Sequence, residues 1–193
     1  MSDSSVFNNF GLLAFPHFFS PEECESLCDY ADVADVQPTQ VGDPTGVRRD
    51  ATHRKGLFTY LDSGEETLVC DRLKALVPRL NRHYSVSLSQ CNRPRLLVYG
   101  EGDFFHTHSD RGGDGAPAEV RDRQVSAVMF LDSADSFGGG ELTFHRWDRD
   151  SDEALSEVVS AEPGLMVTFL SDVLHEVTPV SWGVRRTIVT WFR

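Results

Sequence analysis

From Ser85 onward the chain breaks into short β-rich runs separated by clusters of Gly, Asp and Pro. That pattern constrains the fold more than any other feature. The runs are Arg95–Tyr99, Val125–Asp132, Glu141–Phe144, Leu165–Phe169 and Arg186–Phe192. Many short strands with turn signals between them indicate a sandwich or a barrel. The first half reads differently. Leu12–Phe19 is a short strand running into a helix start. There Ser20 can cap, Pro21 fits the first turn and Glu23 closes a capping box, so a helix should run to about Ala31. A second helix is expected over Glu65–His83, with Leu68, Leu73, Leu76, Val77 and Leu80 on its apolar face and Pro78 ending or kinking it. Leu57–Leu61 reads as a strand, Ala34–Arg54 as a loop or mobile β-ribbon, and Arg111–Arg123 as a flexible loop by composition. Helices followed by an all-β half of about 100 residues make an α+β chain. The expectation is one domain over 1–193, with helical support over about 1–84 and the β core over about 85–193.

Charge and hydropathy exclude several classes. No apolar run approaches the roughly 18–20 residues of a membrane span, so no membrane partner is expected. The start, MSDSSVFNNF, lacks the basic region and apolar core of a signal peptide, which points to a cytoplasmic protein. A net charge of −12 repels a phosphate backbone, so no nucleic-acid partner is expected. A local basic patch around Arg48, Arg49, Arg54 and Lys55 stands apart from that balance. The four cysteines, Cys24, Cys28, Cys70 and Cys91, have neither zinc-ribbon nor CxxC spacing and read as reduced thiols.

The chemistry-bearing residues are few. His108 and Asp110 form an H-x-D pair in a strand-to-loop region, where residues i and i+2 of an extended chain face one side. A third ligand must come from elsewhere, and His175 is the candidate. Two imidazoles and one carboxylate make the facial triad that holds Fe(II) and leaves positions open, whereas a structural zinc site closes its sphere. H-x-D alone occurs by chance in many proteins, and a lone histidine is more often a surface or core residue. Arg185 strengthens the reading. It lies ten residues beyond His175, one turn and strand away, and its planar fork suits a carboxylate. Thr187 should face the same side and offer a second hydrogen bond. His106 could pair with His108 instead and leave Asp110 as an outer group. His17, His53, His83 and His145 have no partner pattern.

Together, Tyr99-x-x-Gly102-x-x-Phe105-x-x-His108-x-Asp110, then Gly139-Gly140-Glu141-Leu142, then His175 and Arg185 resemble the Fe(II)/2-oxoglutarate-dependent dioxygenases. The closest likeness is to the prolyl 4-hydroxylase-like branch that includes the hypoxia-factor prolyl hydroxylases. It covers roughly Arg93–Arg193 and, more loosely, Ala14–Leu27. The resemblance implies a double-stranded β-helix, or jelly roll, buttressed by N-terminal helices, with iron between the two sheets. By it His108, Asp110 and His175 bind Fe(II), in place of the His106/His108 pair, and Arg185 binds the C5 carboxylate of 2-oxoglutarate. Tyr99 lies where the family often has a tyrosine that reaches the co-substrate, and Arg123 and Trp191 match positions that line the substrate entrance. Phe130 departs from the pattern. It stands where the hypoxia-factor branch has a second tyrosine on that carboxylate, which leaves Thr187 or Ser126 to take the role.

The implied cofactor and co-substrates are Fe(II), 2-oxoglutarate and O₂, with ascorbate as an optional addition. A carboxylate at position 110 argues against a halogenase, where a small residue leaves room for halide. The expected activity is hydroxylation of a prolyl residue in a peptide or protein. The competing readings are a hydroxylase of a free amino acid or other small molecule, and a cupin-like metal-binding protein that does not use 2-oxoglutarate. Residues 34–60 and 111–123 should frame the entrance, with Gly42–Lys55 as a possible basic lid beside its plainer role as a solvated loop.

Overall fold

The computed structural model describes residues 4–43, 46–148 and 152–193. Residues 1–3 of the N-terminal run and 44–45 of the basic segment therefore lie outside the described residues. A short helix, α1 (Ser4–Asn9), leads into β1 (Leu13–Phe15) and α2 (Pro21–Val33). Short strands follow: β2 (Gln37–Pro38), β3 (Val41–Asp43), β4 (Gly46–Arg48), β5 (Arg54–Lys55) and β6 (Leu57–Tyr60). The long helix α3 (Ser63–Tyr84) separates them from β7 (Arg95–Tyr99) and β8 (Phe104–His108), after which comes the one-turn α4 (Ala118–Arg121). Then come β9 (Val125–Phe130), β10 (Phe137–Gly139), β11 (Leu142–Asp148), β12 (Glu153–Val159), β13 (Met166–Leu170), β14 (Leu174–Val177), β15 (Val180–Gly183) and β16 (Arg185–Phe192).

Among the described residues the strands form two main sheets. The major sheet has the order β1-β13-β9-β16-β7-β6-β2 and the minor sheet β12-β11-β14-β8-β5; β3 with β4 and β10 with β15 make separate two-stranded ribbons. The pairings within both main sheets are antiparallel. The fold is α+β, as the sequence pattern implied, and is the double-stranded β-helix that the resemblance implied. The N-terminal part gives more than helical support, because β1, β2 and β6 extend the major sheet and β5 extends the minor one.

The major sheet is buried on both faces, and alternation assigns its residues. Val128 and Phe130 of β9, Val167 and Phe169 of β13, Leu97 and Tyr99 of β7, and Val189 and Trp191 of β16 join Leu142 and Phe144 of β11 in a core between the sheets. Their neighbours Val125, Ala127 and Met129, Met166, Leu96, and Ile188 and Phe192 face α2 and α3. Strands covered on both faces read as nearly continuous apolar runs.

The helices follow their sequence signals with two differences. Ser20 Oγ accepts from Glu23 N at 3.2 Å and Ser20 N donates to Glu23 Oε2 at 2.8 Å, closing the capping box. Helix α3 runs six residues past Pro78, which does not end it. The proline removes one N–H, but Leu73 and Leu80 on either side are fully buried against the sheet, and burial of that stripe outweighs the lost bond. The buried stripe also begins at Val69, 1% exposed, in place of Leu68, 44% exposed, while Leu73 and Leu80 are buried as expected. The Arg111–Arg123 loop contains α4. All four cysteines are free thiols, and burial raises Cys24 and Cys28 to about 11 and about 12, far from reactive thiolates.

One glycine ties the sheet to α2. Gly164 has φ +81°, its carbonyl accepts from Phe18 N at 2.8 Å, and a Cβ there would lie 2.2 Å from Phe19 O. Gly164→Ala should therefore lower stability by about 2 kcal/mol or more, combining left-handed strain with the clash. A urea unfolding curve with an unchanged midpoint would show that this contact does not matter.

Candidate active site

The three sequence-identified metal donors converge between the sheets. His108 ends β8, and His175 lies opposite it on the adjacent strand β14. Asp110 sits in a bend past the strand end, so the same-face argument for an extended chain reaches only to His108. Three hydrogen bonds hold the bend: Arg111 N to Ser171 O (2.8 Å), Ser109 Oγ to Arg111 O (3.1 Å) and Arg123 Nη1 to Asp110 O (3.1 Å). His108 Nε2 is 3.7 Å from Asp110 Oδ1, and His175 Nε2 is 3.5 Å from Asp110 Oδ2. One ligand atom from each residue lies within 4.8 Å of the other two.

His106 is not in this group. Its carbonyl instead accepts from His108 Nδ1 at 2.8 Å, as Val173 O does from His175 Nδ1 at 2.9 Å. A carbonyl can only accept, so both rings carry their hydrogen on Nδ1 and keep the Nε2 lone pair for the site. Burial, reinforced by His108 beside it, lowers the His175 pKa to about 4, which keeps that ring neutral. Burial alone would raise the Asp110 carboxyl, but His175, His108 and Arg123 outweigh it and hold it well below the usual carboxylate range. Neutral imidazoles and an ionised carboxylate are the protonation states a metal requires. Two nitrogens and one oxygen on one side suit Fe(II) with open positions.

Arg185 opens β16 opposite Tyr99 of β7. Arg185, Thr187, Val189 and Trp191 alternate onto the inter-sheet face, and all four are buried. Arg185 Nη1 donates to Thr187 Oγ1 at 3.4 Å, and its buried Nε has no hydrogen-bond partner. Among the described residues no carboxylate pairs with it. Burial pulls its pKa to about 10, so it stays charged at neutral pH. A buried guanidinium lacking a counter-charge is costly, and the arrangement fits a carboxylate from a bound molecule. Ser126 is already engaged, sharing a 2.9 Å hydrogen bond with Ser171 Oγ. Thr187 is thus the hydroxyl beside the guanidinium, next to Phe130, whose ring centre is 5.7 Å from Arg185 Cζ. Gly140, from the glycine pair noted in the sequence, has φ +63°, and a Cβ there would meet Arg185 Cδ at 3.0 Å. Its bareness leaves room for the arginine.

One cavity takes in His108, Asp110, His175, Arg185, Thr187 and Tyr99. Trp191 lines it as well and lies under Arg123, whose Cζ is 3.7 Å from the ring centre. Three contributors were not singled out from the sequence as site residues. Phe105 stacks on His108 with ring centres 3.4 Å apart. Arg54 lies 4.3 Å over the Phe105 ring and donates to Tyr99 Oη at 3.3 Å. Arg95 faces Trp191 from β7. Phe105 belongs to the motif quoted above, and its spacing was the available signal. Arg54 depends on β5 pairing with β8, which no local pattern announces.

Fold and donor set together define a mononuclear non-haem iron site on a double-stranded β-helix. Similarity to known proteins agrees. Residues 94–193 match the 2OG-Fe(II) oxygenase superfamily. A PKHD-type hydroxylase of Pseudomonas putida is 30% identical over 187 residues, covering 93% of this chain and 77% of that protein. Among solved structures, a prolyl-4-hydroxylase of P. putida superposes with a TM-score of 0.74 at 23% identity, covering 98% of this chain and 95% of that one. A prolyl hydroxylase of Trichoplax adhaerens, in complex with a peptide fragment of the hypoxia inducible factor oxygen degradation domain, gives 0.72 at 16% identity, covering 97% and 86%. The chain belongs to the 2OG-Fe(II) oxygenase superfamily, and it is an Fe(II)- and 2-oxoglutarate-dependent hydroxylase. Among the described residues no helix is long and apolar enough to cross a membrane.

Proposed function

We propose that the enzyme hydroxylates a residue within a peptide, a prolyl side chain first, with iron on His108, Asp110 and His175 and 2-oxoglutarate anchored by Arg185. The observation that carries this is the meeting of a three-donor site and an unpaired buried guanidinium in one cavity. Bound there, Fe(II) with 2-oxoglutarate and O₂ supplies the oxidation of an unreactive C–H bond. The side chains do the positioning. His108, Asp110 and His175 would hold the metal, a donor set that suits a site with open positions. Arg185 and Thr187 fix the far carboxylate of the co-substrate, and the Tyr99 hydroxyl, held by Arg54, reaches the same cavity. Phe144 and Phe169 flank His175 with ring centres 5.9 and 4.7 Å away and keep water from its inner side.

The peptide reading is supported by what lies outside. The cavity shares His108, Asp110, Arg54, Phe105 and Trp191 with an open cleft. The cleft runs between Gln40, Val41 and residues 50–54 on one side and residues of the 112–123 segment on the other. A chain can pass through an open cleft, whereas small-molecule pockets bury most of their ligand. The test is incubation with iron, 2-oxoglutarate, O₂ and a panel of proline-containing peptides and free amino acids. Succinate release matched by one added oxygen on proline is expected. Turnover confined to free amino acids, or a product without added oxygen, overturns the peptidyl-proline reading.

A further inference from the structure

The cleft outside the metal site has a charge that the proposed reaction does not use. Arg54, Arg95 and Arg123 all line it, around Trp191. Arg123 stacks on that indole at 3.7 Å, and Arg95 approaches it at 5.6 Å. Among the described residues none of the three guanidiniums forms an ion pair with a carboxylate. Arg54 donates to Tyr99 Oη and to Gln40 O, and Arg123 donates to Asp110 O. The buried Nε of Arg123 has no hydrogen-bond partner. Among the described residues no acidic group of the cleft forms an ion pair with the cluster. Asp110 belongs to the metal site, Asp50 accepts from Thr52 N and Oγ1 within its own turn, and Glu119 is exposed on α4. Burial is the main cause that lowers the Arg123 pKa; Asp110 and Glu119 oppose it, while Arg95 and Arg54 add to it, so the three cations sense one another. In a chain of net charge −12, the clustering of three guanidiniums around one indole beside the entrance is a local concentration of positive charge.

We propose that this arginine cluster selects a substrate carrying a carboxylate close to the hydroxylated residue, such as an acidic side chain next to it in the peptide. Planar forks held against an indole face are pre-oriented for a carboxylate. Asp50 and Glu119 in the same cleft, and the acid-rich surface beyond it, disfavour a phosphate-rich polyanion. The inference rests on the peptide reading of the cleft, and its test separates the two.

The probes are blocked hexapeptides with a central proline followed by Glu, Gln or Lys, and a matching set with alanine at the centre. Binding is measured by calorimetry without O₂, with iron and 2-oxoglutarate present, so that affinity is read without turnover. The Glu peptide should bind on the order of tenfold more tightly than the Gln peptide at low salt, with the gap narrowing as salt rises. Arg95→Gln should bring the Glu-to-Gln ratio towards one, and Arg95→Lys should restore part of it. The same Glu preference in the alanine set supports the carboxylate subsite even where proline is not the reacting residue. Equal binding of Glu and Gln peptides, preference for Lys, or no binding of any Glu peptide overturns the proposal.

Discussion

Replacing His175 by alanine should reduce succinate release to background, and replacing His108 should do the same. Each change removes one of three donors whose ligand atoms lie within 4.8 Å of one another, and two remaining donors hold a labile metal poorly. The effect begins at the metal, so the first measurement is iron per chain after loading and desalting. It should fall from about one to well below one in both variants. His175 is 5% exposed, so far-ultraviolet circular dichroism must show the fold intact before activity is read. Wild-type turnover in both variants would mean that the metal sits elsewhere.

Arg185→Ala should leave iron binding intact and damage only the use of 2-oxoglutarate. The guanidinium is buried beside Thr187, and among the described residues no carboxylate pairs with it. Its removal would leave the far carboxylate of the bound co-substrate desolvated and without a cation. That loss costs about 2–5 kcal/mol, or roughly 30-fold to several thousandfold in the apparent KM for 2-oxoglutarate. Arg185→Lys keeps the charge but not the fork and should fall between the two. Arg186 is a built-in control: it faces the other way, with Nη1 3.1 Å from Asp132 Oδ1, and its truncation should affect stability more than KM. An unchanged KM in Arg185→Ala would rule out this anchor.

Most strands legible in the sequence were those of the major sheet, with Glu141–Phe144 catching only the start of β11 in the minor one, and the reason is physical. β7, β9, β13 and β16 are covered on both faces and read as near-continuous apolar runs, so their expected limits fall within two residues of the observed ones. The minor sheet keeps one face in solvent. Its edge strand β12, with the sequence EALSEVV, gave no comparable run, and neither did β15 of the separate β10–β15 ribbon, with Trp182 53% exposed. β8, FFHTH, mixes ligand, stacking partner and exposed side chains, so chemistry masks its strand pattern. Pro78 misled because local propensity was outweighed by the burial of Leu73 and Leu80. The metal donors and Arg185 could be named because their spacing along the chain carries the likeness. Arg54 and Arg95 could not, since their place in the site comes from strand pairing, β5 on β8 and β7 on β16.

The alternation along β16 bears on where this chain can change length. Arg185, Thr187, Val189 and Trp191 face the cavity, while Ile188 and Phe192 serve the helix layer. Inserting a single residue near the start of that strand would exchange the two sets and turn isoleucine and phenylalanine towards the co-substrate. Inserting two would restore the order at the cost of a displaced end. The segment between Asp110 and α4 carries no such odd-even constraint, so insertions and deletions can accumulate there and reshape the entrance while the reaction centre keeps its frame.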